Sequence, residues 1–167
     1  MVEHAGARAG RADGDLRTLL QAPESRGVRR WPAGGHSDDI ARAASQLGWR
    51  VYRLDTRGID GKRAVIRRFV ADLGLPSYTG GNWDALEESL GDLPVAGSAG
   101  VVLVWRGWRS FADADPEAMA VASDVLNSVA AEWAAVTGYG VVALVSGRKG
   151  ARAPDAGDRS AAGIEKA

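Results

Sequence analysis

Two short runs of uninterrupted apolar residues limit the fold of this chain more than any other feature of its sequence. Val101–Trp105 and Val141–Val145 each contain five apolar residues in a row. This is the length of a strand and far too short to span a membrane. Continuous hydrophobicity is typical of a strand that is buried on both faces, as in parallel sheets covered by crossover helices. The sequence therefore predicts an α/β fold.

Segments of helical periodicity lie where crossover helices are needed. Each begins at a residue suited to a helix N-terminus and ends at a glycine: Ser37 to Gly48, Asp60 to Gly74, Asn82 to Gly91 and Asp115 to Gly138. A third strand is expected at Trp49–Asp55. We therefore expect a three-stranded parallel sheet packed with about four helices and joined by right-handed crossovers.

The two ends of the chain lack a sustained apolar pattern. Residues 1–36 are rich in Gly, Arg and Ala and are expected to form a disordered extension, and residues 148–167 a flexible tail. Residues 37–147 should then form one domain. The first thirty residues contain no signal-peptide core, and the chain has no cysteine. We expect a cytoplasmic protein that is a monomer when free and lacks disulfides.

The net charge of zero hides an uneven distribution of charged residues. Residues 72–147 hold ten acidic side chains and only two basic ones, Arg106 and Arg109. A surface of one sign repels like charges and attracts opposite ones. An acidic surface is unsuited to RNA, DNA or anionic lipid, whose binding depends on cations. The expected partner is a basic protein, with no direct binding of nucleic acid and no membrane association.

Sequence motifs of catalysis are missing from the chain. It has no Walker loop, no dinucleotide-binding fingerprint and no Gly-x-Ser-x-Gly elbow. Its two histidines, His4 and His36, lie in or beside the N-terminal extension without a partner at ligand spacing. This argues against a zinc site and against acid–base catalysis by histidine. We therefore expect a protein that is not an enzyme and needs no cofactor.

Six tryptophans raise the possibility of base stacking in a nucleic-acid site. Trp83, Trp105 and Trp133 occupy apolar faces of expected helices and strands, which favours core packing. Trp108 follows the end of a strand beside two arginines, and its position leaves both a buried and an exposed, functional role open.

The expected helix from Asn82 to Leu90 is a candidate binding surface. Its side chains should divide between a core face with Trp83, Leu86 and Leu90 and an outer face with Asp84, Glu87 and Glu88. Asp84 and Glu88 lie one turn apart, and such a like-charge pair destabilises a helix by about 0.2–0.5 kcal/mol. A solvated face and a partner-binding face both remain open from these residues alone. Two acids on one helix face do not flank a cleft, as glycoside hydrolysis requires.

The segment from Leu73 to Leu90 closely resembles the signature of the barstar family. The match is Leu-x-Leu-Pro-x-Tyr-x-Gly-x-Asn-x-Asp-Ala-Leu-x-(acid)-x-Leu, and a weaker match of pattern extends over about residues 49–146. That family comprises intracellular inhibitors of barnase-like secreted ribonucleases. The resemblance implies a small α/β domain with a three-stranded parallel sheet. Its second helix and preceding loop would plug a basic ribonuclease active site, with acids in place of the phosphates.

The resemblance also implies which residues contact the partner. They form the loop and the outer face of the helix: Tyr78, Thr79, Gly80, Gly81, Asn82, Asp84, Glu87 and Glu88. Tyr78 matches the family's loop tyrosine, Asn82 its helix cap, and Asp84 and Glu88 its two helix acids. A further family acid on the long helix would fall near Ala131 or Glu132. From the residues themselves, Gly80-Gly81 is interpreted as a tight turn that needs positive φ, in preference to a phosphate loop.

Some positions depart from the family pattern. Thr79 stands where a second aromatic residue is frequent, Gly81 where a larger residue is common, and Glu88 replaces an aspartate. The leading hypothesis is an inhibitor of a basic ribonuclease or ribonuclease-like toxin. The alternative is a regulatory interaction module of the same fold that binds a non-nuclease protein.

Overall fold

The sheet of this protein has four parallel strands in the order β1-β4-β3-β2, as shown by a computed structural model that describes residues 14–31 and 36–146. The strands are β1 (Gly27–Arg30), β2 (Arg50–Asp55), β3 (Val101–Arg106) and β4 (Gly140–Val145). The two apolar runs of the sequence form the two central strands. All of β4 and the first five residues of β3 are buried, as the both-face pattern predicts.

Helices cover both faces of this sheet. One face is covered by α1, described over residues 14–21, and by α2 (Ser37–Gln46). The other face is covered by α3 (Lys62–Leu73), α4 (Trp83–Gly91), α5 (Trp108–Ala114) and α6 (Pro116–Thr137). Two single-turn 3₁₀ helices occupy Pro23–Ser25 and Ser77–Gly81. None of the helices within the described ranges is long and apolar enough to cross a bilayer.

The N-terminal strand corrects two expectations from the sequence. The sheet has four strands instead of three, and the expected disorder of residues 1–36 is wrong for residues 14–31, which contain α1 and β1. Leu20 and Trp31 pack against α2 and β4 with 1% and 6% of their surface exposed. Asn127 of α6 accepts a hydrogen bond from the backbone N–H of Val28 at 2.8 Å. The expected tail at 148–167 lies outside the described residues.

The other expected elements are present, with small shifts at their ends. Asp115 caps α6 by accepting a hydrogen bond from the backbone N–H of Ala118 at 3.0 Å. Helix α3 begins at Lys62 instead of Asp60. The short helix α5 was not expected; it follows Gly107, whose φ of 75° lies in the left-handed region. An added Cβ there would lie 2.3 Å from the backbone nitrogen of Arg57, so the turn requires glycine.

Tryptophans fill the core, as their apolar positions predict. Trp105 and Trp133 are completely buried, and Trp105 donates a hydrogen bond from Nε1 to Thr56 Oγ1 at 2.8 Å. Trp83 is only partly buried. Trp108 is 3% exposed, which decides the open question about this residue in favour of burial.

Candidate protein-binding site

Helix α4 is held against the body of the protein by its ends and by its apolar face. Gly74 ends α3 in the left-handed conformation with φ 65°, and the 3₁₀ helix Ser77–Gly81 then leads to the cap of α4. Asn82 is that cap, because its Oδ1 accepts a hydrogen bond from the backbone N–H of Ala85 at 2.8 Å. Leu86 and Leu90 are buried beneath the helix. The opposite face of α4 is therefore turned toward solvent.

A buried hydroxyl pair joins the loop to α4. Thr79 is completely buried, Ser89 is 4% exposed, and their oxygens lie 2.6 Å apart. The expectation that the side chain of Thr79 contacts a partner is therefore wrong. Thr79 fixes the neighbouring residues Tyr78 and Gly80 relative to the helix. This pairing could not be predicted, because the position of Ser89 in the helical pattern is also compatible with exposure to solvent.

The outer surface of the loop and helix carries the remaining predicted site residues. Tyr78 is 72% exposed, the largest exposed fraction among the large hydrophobic side chains described. Gly81, Asn82, Asp84 and Glu88 are exposed, and Gly80 and Glu87 are half-buried. These residues thus form one continuous stretch of surface along the chain.

The two loop glycines are not required by their backbone conformation. Neither Gly80 nor Gly81 has a positive φ, so the interpretation of a tight turn that needs one is wrong. No atom lies within 4 Å of a Cβ added at either position, apart from the immediate chain neighbours. Glycine therefore leaves open space above the surface, where a partner backbone can approach closely.

The acidic side chains of α4 are not neutralised by their neighbours. Within the described part of the chain, Asp84, Glu87 and Glu88 form neither an ion pair nor a hydrogen bond through their carboxylates. Lys62 of α3 instead approaches the neighbouring Trp83, with its Nζ 5.7 Å from the ring centre. Their negative charge is thus available to a partner.

Helix α6 adds a fourth carboxylate beside the C-terminal end of α4. A Cβ added to Gly91 would lie 2.6 Å from Glu132 Oε2. Trp133 Nε1, on the same helix, donates a hydrogen bond to the carbonyl oxygen of Leu90 at 3.2 Å and so satisfies one of the free carbonyls at this helix end. Of the two positions that the sequence left open, Glu132 has the acidic side chain and lies beside α4. Because Glu132 is far from α4 in the sequence, no local pattern indicated that the two lie together.

The described residues offer no site for a metal ion. These ranges contain no group of three or more His, Cys, Asp or Glu side chains placed to hold a metal ion. His36 is exposed at the N-terminus of α2, and His4 lies outside the described residues. The chemistry that this surface offers is the presentation of carboxylates, an aromatic ring and open backbone.

Comparison with known proteins agrees with this geometry. A family model described as barstar (barnase inhibitor) matches residues 49–145. The match covers more than half of the chain and includes the whole of the 3₁₀ helix and α4. Helices α1 and α2 and strand β1 lie outside it. A search of curated proteins found no match.

Proposed function

The chain belongs to the barstar family, and from that membership we propose that it inhibits a ribonuclease or ribonuclease-like toxin by covering its active site with α4 and the preceding loop. The observation that carries this proposal is the set of uncompensated carboxylates at Asp84, Glu87 and Glu88 beside the exposed ring of Tyr78. The family description, barnase inhibitor, supplies the class of partner.

The chemistry of the partner explains why carboxylates suit this task. A ribonuclease binds a polyanion, so its active site must present cationic groups to phosphates. Carboxylates on a rigid helix can accept charge-assisted hydrogen bonds from the same groups. Asp84 and Glu88, one turn apart, have Cβ atoms about 5–6 Å from each other. They can therefore engage two neighbouring cations at once.

The loop provides the apolar part of the proposed interface. An exposed tyrosine buries a large ring on binding while keeping a hydroxyl for hydrogen bonding, and tyrosine is enriched among the residues that dominate binding energy. The buried neighbour Thr79 holds the backbone at Tyr78 against α4, which reduces the backbone freedom lost on binding. Gly80 and Gly81 leave room for the partner beside this ring.

We propose that the chain acts by binding and not by catalysis, in the cytoplasm, where such an inhibitor would protect the cell that produces the ribonuclease. In this proposal it makes no direct contact with RNA. A purified sample should produce no shift of single- or double-stranded RNA in a gel at moderate salt. Tight, salt-sensitive RNA binding would contradict this part of the proposal.

The decisive experiment measures inhibition and affinity on the same samples. Barnase, as a representative ribonuclease, is assayed for RNA cleavage with and without the protein, and the two are titrated calorimetrically. We expect inhibition that saturates at one inhibitor per enzyme. Glu88→Gln should weaken binding by about 2 kcal/mol or more, roughly thirtyfold in Kd, if it meets a desolvated cation. Tyr78→Ala and Asp84→Asn should also weaken it.

The matched control is Glu117→Gln in the first turn of α6. Glu117 is also an exposed acid, but it lies fifteen residues, roughly 22 Å along the helix, from Glu132. It should bind with the wild-type Kd. Equal weakening by Glu117→Gln would mean that net charge and not the α4 surface drives association.

The alternative function, a regulatory module that binds a non-nuclease protein, gives a different result. In that case barnase and related ribonucleases remain fully active, while the α4 variants lose a different partner from cell extracts. The observation behind this alternative is Thr79, which is buried where the family often has a second aromatic residue.

A further inference from the structure

A cleft between β1, α5 and α6 lies outside the proposed ribonuclease-binding surface. It has a volume of about 410 Å³, and none of its lining residues belongs to the loop or to α4. Its apolar lining includes Val28, Met119 and Leu144, and its polar lining includes Arg30 and Ser123. We call it the Trp108 cleft, after the aromatic residue that lines it. A site of this size and mixed lining is typical of small-molecule binding.

The indole of Trp108 has an unused hydrogen-bond donor. The side chain is 3% exposed, and its Nε1 has no hydrogen-bond partner among the described residues. The equally buried Trp105 and Trp133 both donate from Nε1, to Thr56 Oγ1 and to the Leu90 carbonyl. Trp31 shares the missing partner but does not line this cleft. Because buried N–H groups are normally paired, Trp108 points to an acceptor that the described residues do not supply.

Two guanidinium groups lie over the same indole ring. Cζ of Arg30 is 4.9 Å and Cζ of Arg109 is 5.0 Å from the ring centre of Trp108. Arg109 also donates hydrogen bonds to the neutral Ser146 Oγ at 3.1 and 3.2 Å. Within the described ranges neither arginine forms an ion pair with a carboxylate. Of the two, Arg30 lines the cleft and Arg109 does not, so the charge that the cleft presents without an ion pair is that of Arg30.

The topology of the sheet places this cleft where open α/β sheets usually bind ligands. The chain leaves the carboxyl end of β1 toward α2 on one face and the carboxyl end of β3 toward α5 on the other. Arg30 is the last residue of β1, and Trp108 begins the helix that follows β3. In open α/β sheets, ligands generally bind outside the carboxyl ends of the strands.

We propose that the Trp108 cleft binds a small organic anion: an oxyanion such as a carboxylate or sulfonate, attached to an apolar body. The oxyanion pairs with Arg30 and accepts the hydrogen bond of Trp108 Nε1, while the apolar body packs against Met119 and Leu144. The lining of the cleft includes the cation Arg30 but no carboxylate, so a neutral or cationic ligand would leave the charge of Arg30 unmatched. Because Trp108 Nε1 is enclosed in the free protein, the exposed side chain of Arg30 has to move across the indole ring to admit the ligand.

The test uses anilinonaphthalene sulfonate as the probe and the uncharged phenylnaphthylamine as its matched control. The full chain is labelled for nuclear magnetic resonance, and the indole N–H signal of Trp108 is assigned by its loss in Trp108→Phe. We expect this signal to move on addition of the sulfonate, and the neutral analogue to bind at least about tenfold more weakly. Arg30→Gln should raise the Kd of the sulfonate by about tenfold or more.

Arg63→Gln, an exposed arginine of α3, is the control for general charge effects. It should bind the sulfonate with the wild-type Kd. Equal binding of the neutral analogue, an unchanged Kd in Arg30→Gln, or shifts confined to other tryptophans would each overturn the proposal. If Trp108→Phe does not fold, the signal can be assigned from the backbone, and the Arg30→Gln titration alone decides. Failure here leaves the ribonuclease proposal untouched, because none of these residues belongs to the loop or to α4.

Discussion

The hydroxyl oxygens of Thr79 and Ser89 lie 2.6 Å apart in a buried contact between the loop and α4. Removing one hydroxyl leaves the other buried without a partner, which costs about 1–3 kcal/mol, whereas removing both can be nearly neutral. We expect Thr79→Val and Ser89→Ala each to lower the free energy of unfolding, and the double variant to lose less than their sum. Chemical denaturation of all four proteins completes the cycle. Strictly additive losses would show that the pair does not couple the loop to the helix.

Glu88 should contribute to binding at the expense of stability. It repels Asp84 one turn away and lies near the C-terminal end of α4, where the helix dipole disfavours negative charge. Glu88→Gln should therefore leave the melting temperature unchanged or raise stability by about 0.2–0.5 kcal/mol. Asp84→Asn should slightly lower the stability, because Asp84 lies at the N-terminal end of the same helix, where the dipole favours negative charge. A clear loss of stability in Glu88→Gln, together with unaltered binding of barnase, would make this helix a purely structural element.

Gly81 should be replaceable in the free protein but not in the complex. Its φ is not positive, and an added Cβ meets no atom within 4 Å other than its chain neighbours. We expect Gly81→Ala to retain or slightly increase stability, since alanine restricts the unfolded chain. The same change should raise the Kd for barnase if the partner approaches this backbone.

Gly140→Ala is the comparison for Gly81→Ala, because an added methyl group at position 140 should strongly lower stability. There the added Cβ would lie 1.9 Å from the carbonyl oxygen of Ala130, a backbone atom of α6 that cannot move aside. Overpacking of this kind costs about 1–3 kcal/mol or more. Thermal unfolding of the two glycine variants should separate them clearly; similar melting temperatures would contradict the close approach of α6 to β4.

Asp55 should make the stability of the protein depend on pH in the acid range. Burial alone would raise the pKa of Asp55, but hydrogen bonds from the side chain and backbone of Arg57, with the charges of Arg57 and Arg106, outweigh it and hold the pKa below the usual 3.8. A carboxylate whose pKa is lowered by folding stabilises the folded state at any pH above its pKa in the unfolded chain. This stabilisation is lost as the pH falls through its pKa in the folded protein.

The free energy of unfolding should therefore decrease below about pH 5, and Asp55→Asn should show a smaller decrease than the wild type. Denaturation curves at pH 6, 4 and 3 measure this decrease in the free energy of unfolding. Asp113→Asn, at an exposed position of α5, is the control. Parallel pH profiles for Asp55→Asn and the wild type would rule out this contribution.

The N-terminal segment should be part of the folded unit. Trp31 is 6% exposed against α2 and β4, and truncating a buried tryptophan to alanine costs about 3–5 kcal/mol. We expect Trp31→Ala, and deletion of residues 1–31, to lower the melting temperature markedly. Leu19→Ala, at a neighbouring side chain that is 43% exposed, serves as the control. An unchanged melting temperature after deletion would restore the original expectation that the folded domain starts near residue 37.

The sequence predicted the central part of the fold because local signals there agree with the tertiary structure. β3 and β4 are apolar throughout, and Asn82 and Asp115 cap helices at the places where polar cap residues precede apolar periodicity. β1 could not be predicted in this way. In the described sheet it is an edge strand of four residues with two arginines, and its partner β4 lies more than a hundred residues further along the chain.

The geometry of the candidate site was predicted to a similar extent, whereas binding by its residues remains a prediction. The motif indicated the loop and the acidic face of α4, because those positions are adjacent in sequence. It did not indicate the burial of Thr79, the approach of Lys62 to Trp83 or the position of Glu132 beside Gly91. Each of these depends on how separate helices pack, which a local pattern does not encode.

The position of β4 between β1 and β3 has a consequence for how the protein is synthesised. Of the four described strands, β1 emerges from the ribosome first, whereas its partner β4 emerges last. Pairings between such distant segments form slowly, since a long loop must close before any contact stabilises it. The sheet cannot be completed until residue 145 is available, and α4 rests on α6, which is also made late. Under the function proposed above, a nascent chain that already contains the acidic helix would therefore not yet inhibit, and protection would begin only when the last strand has been made.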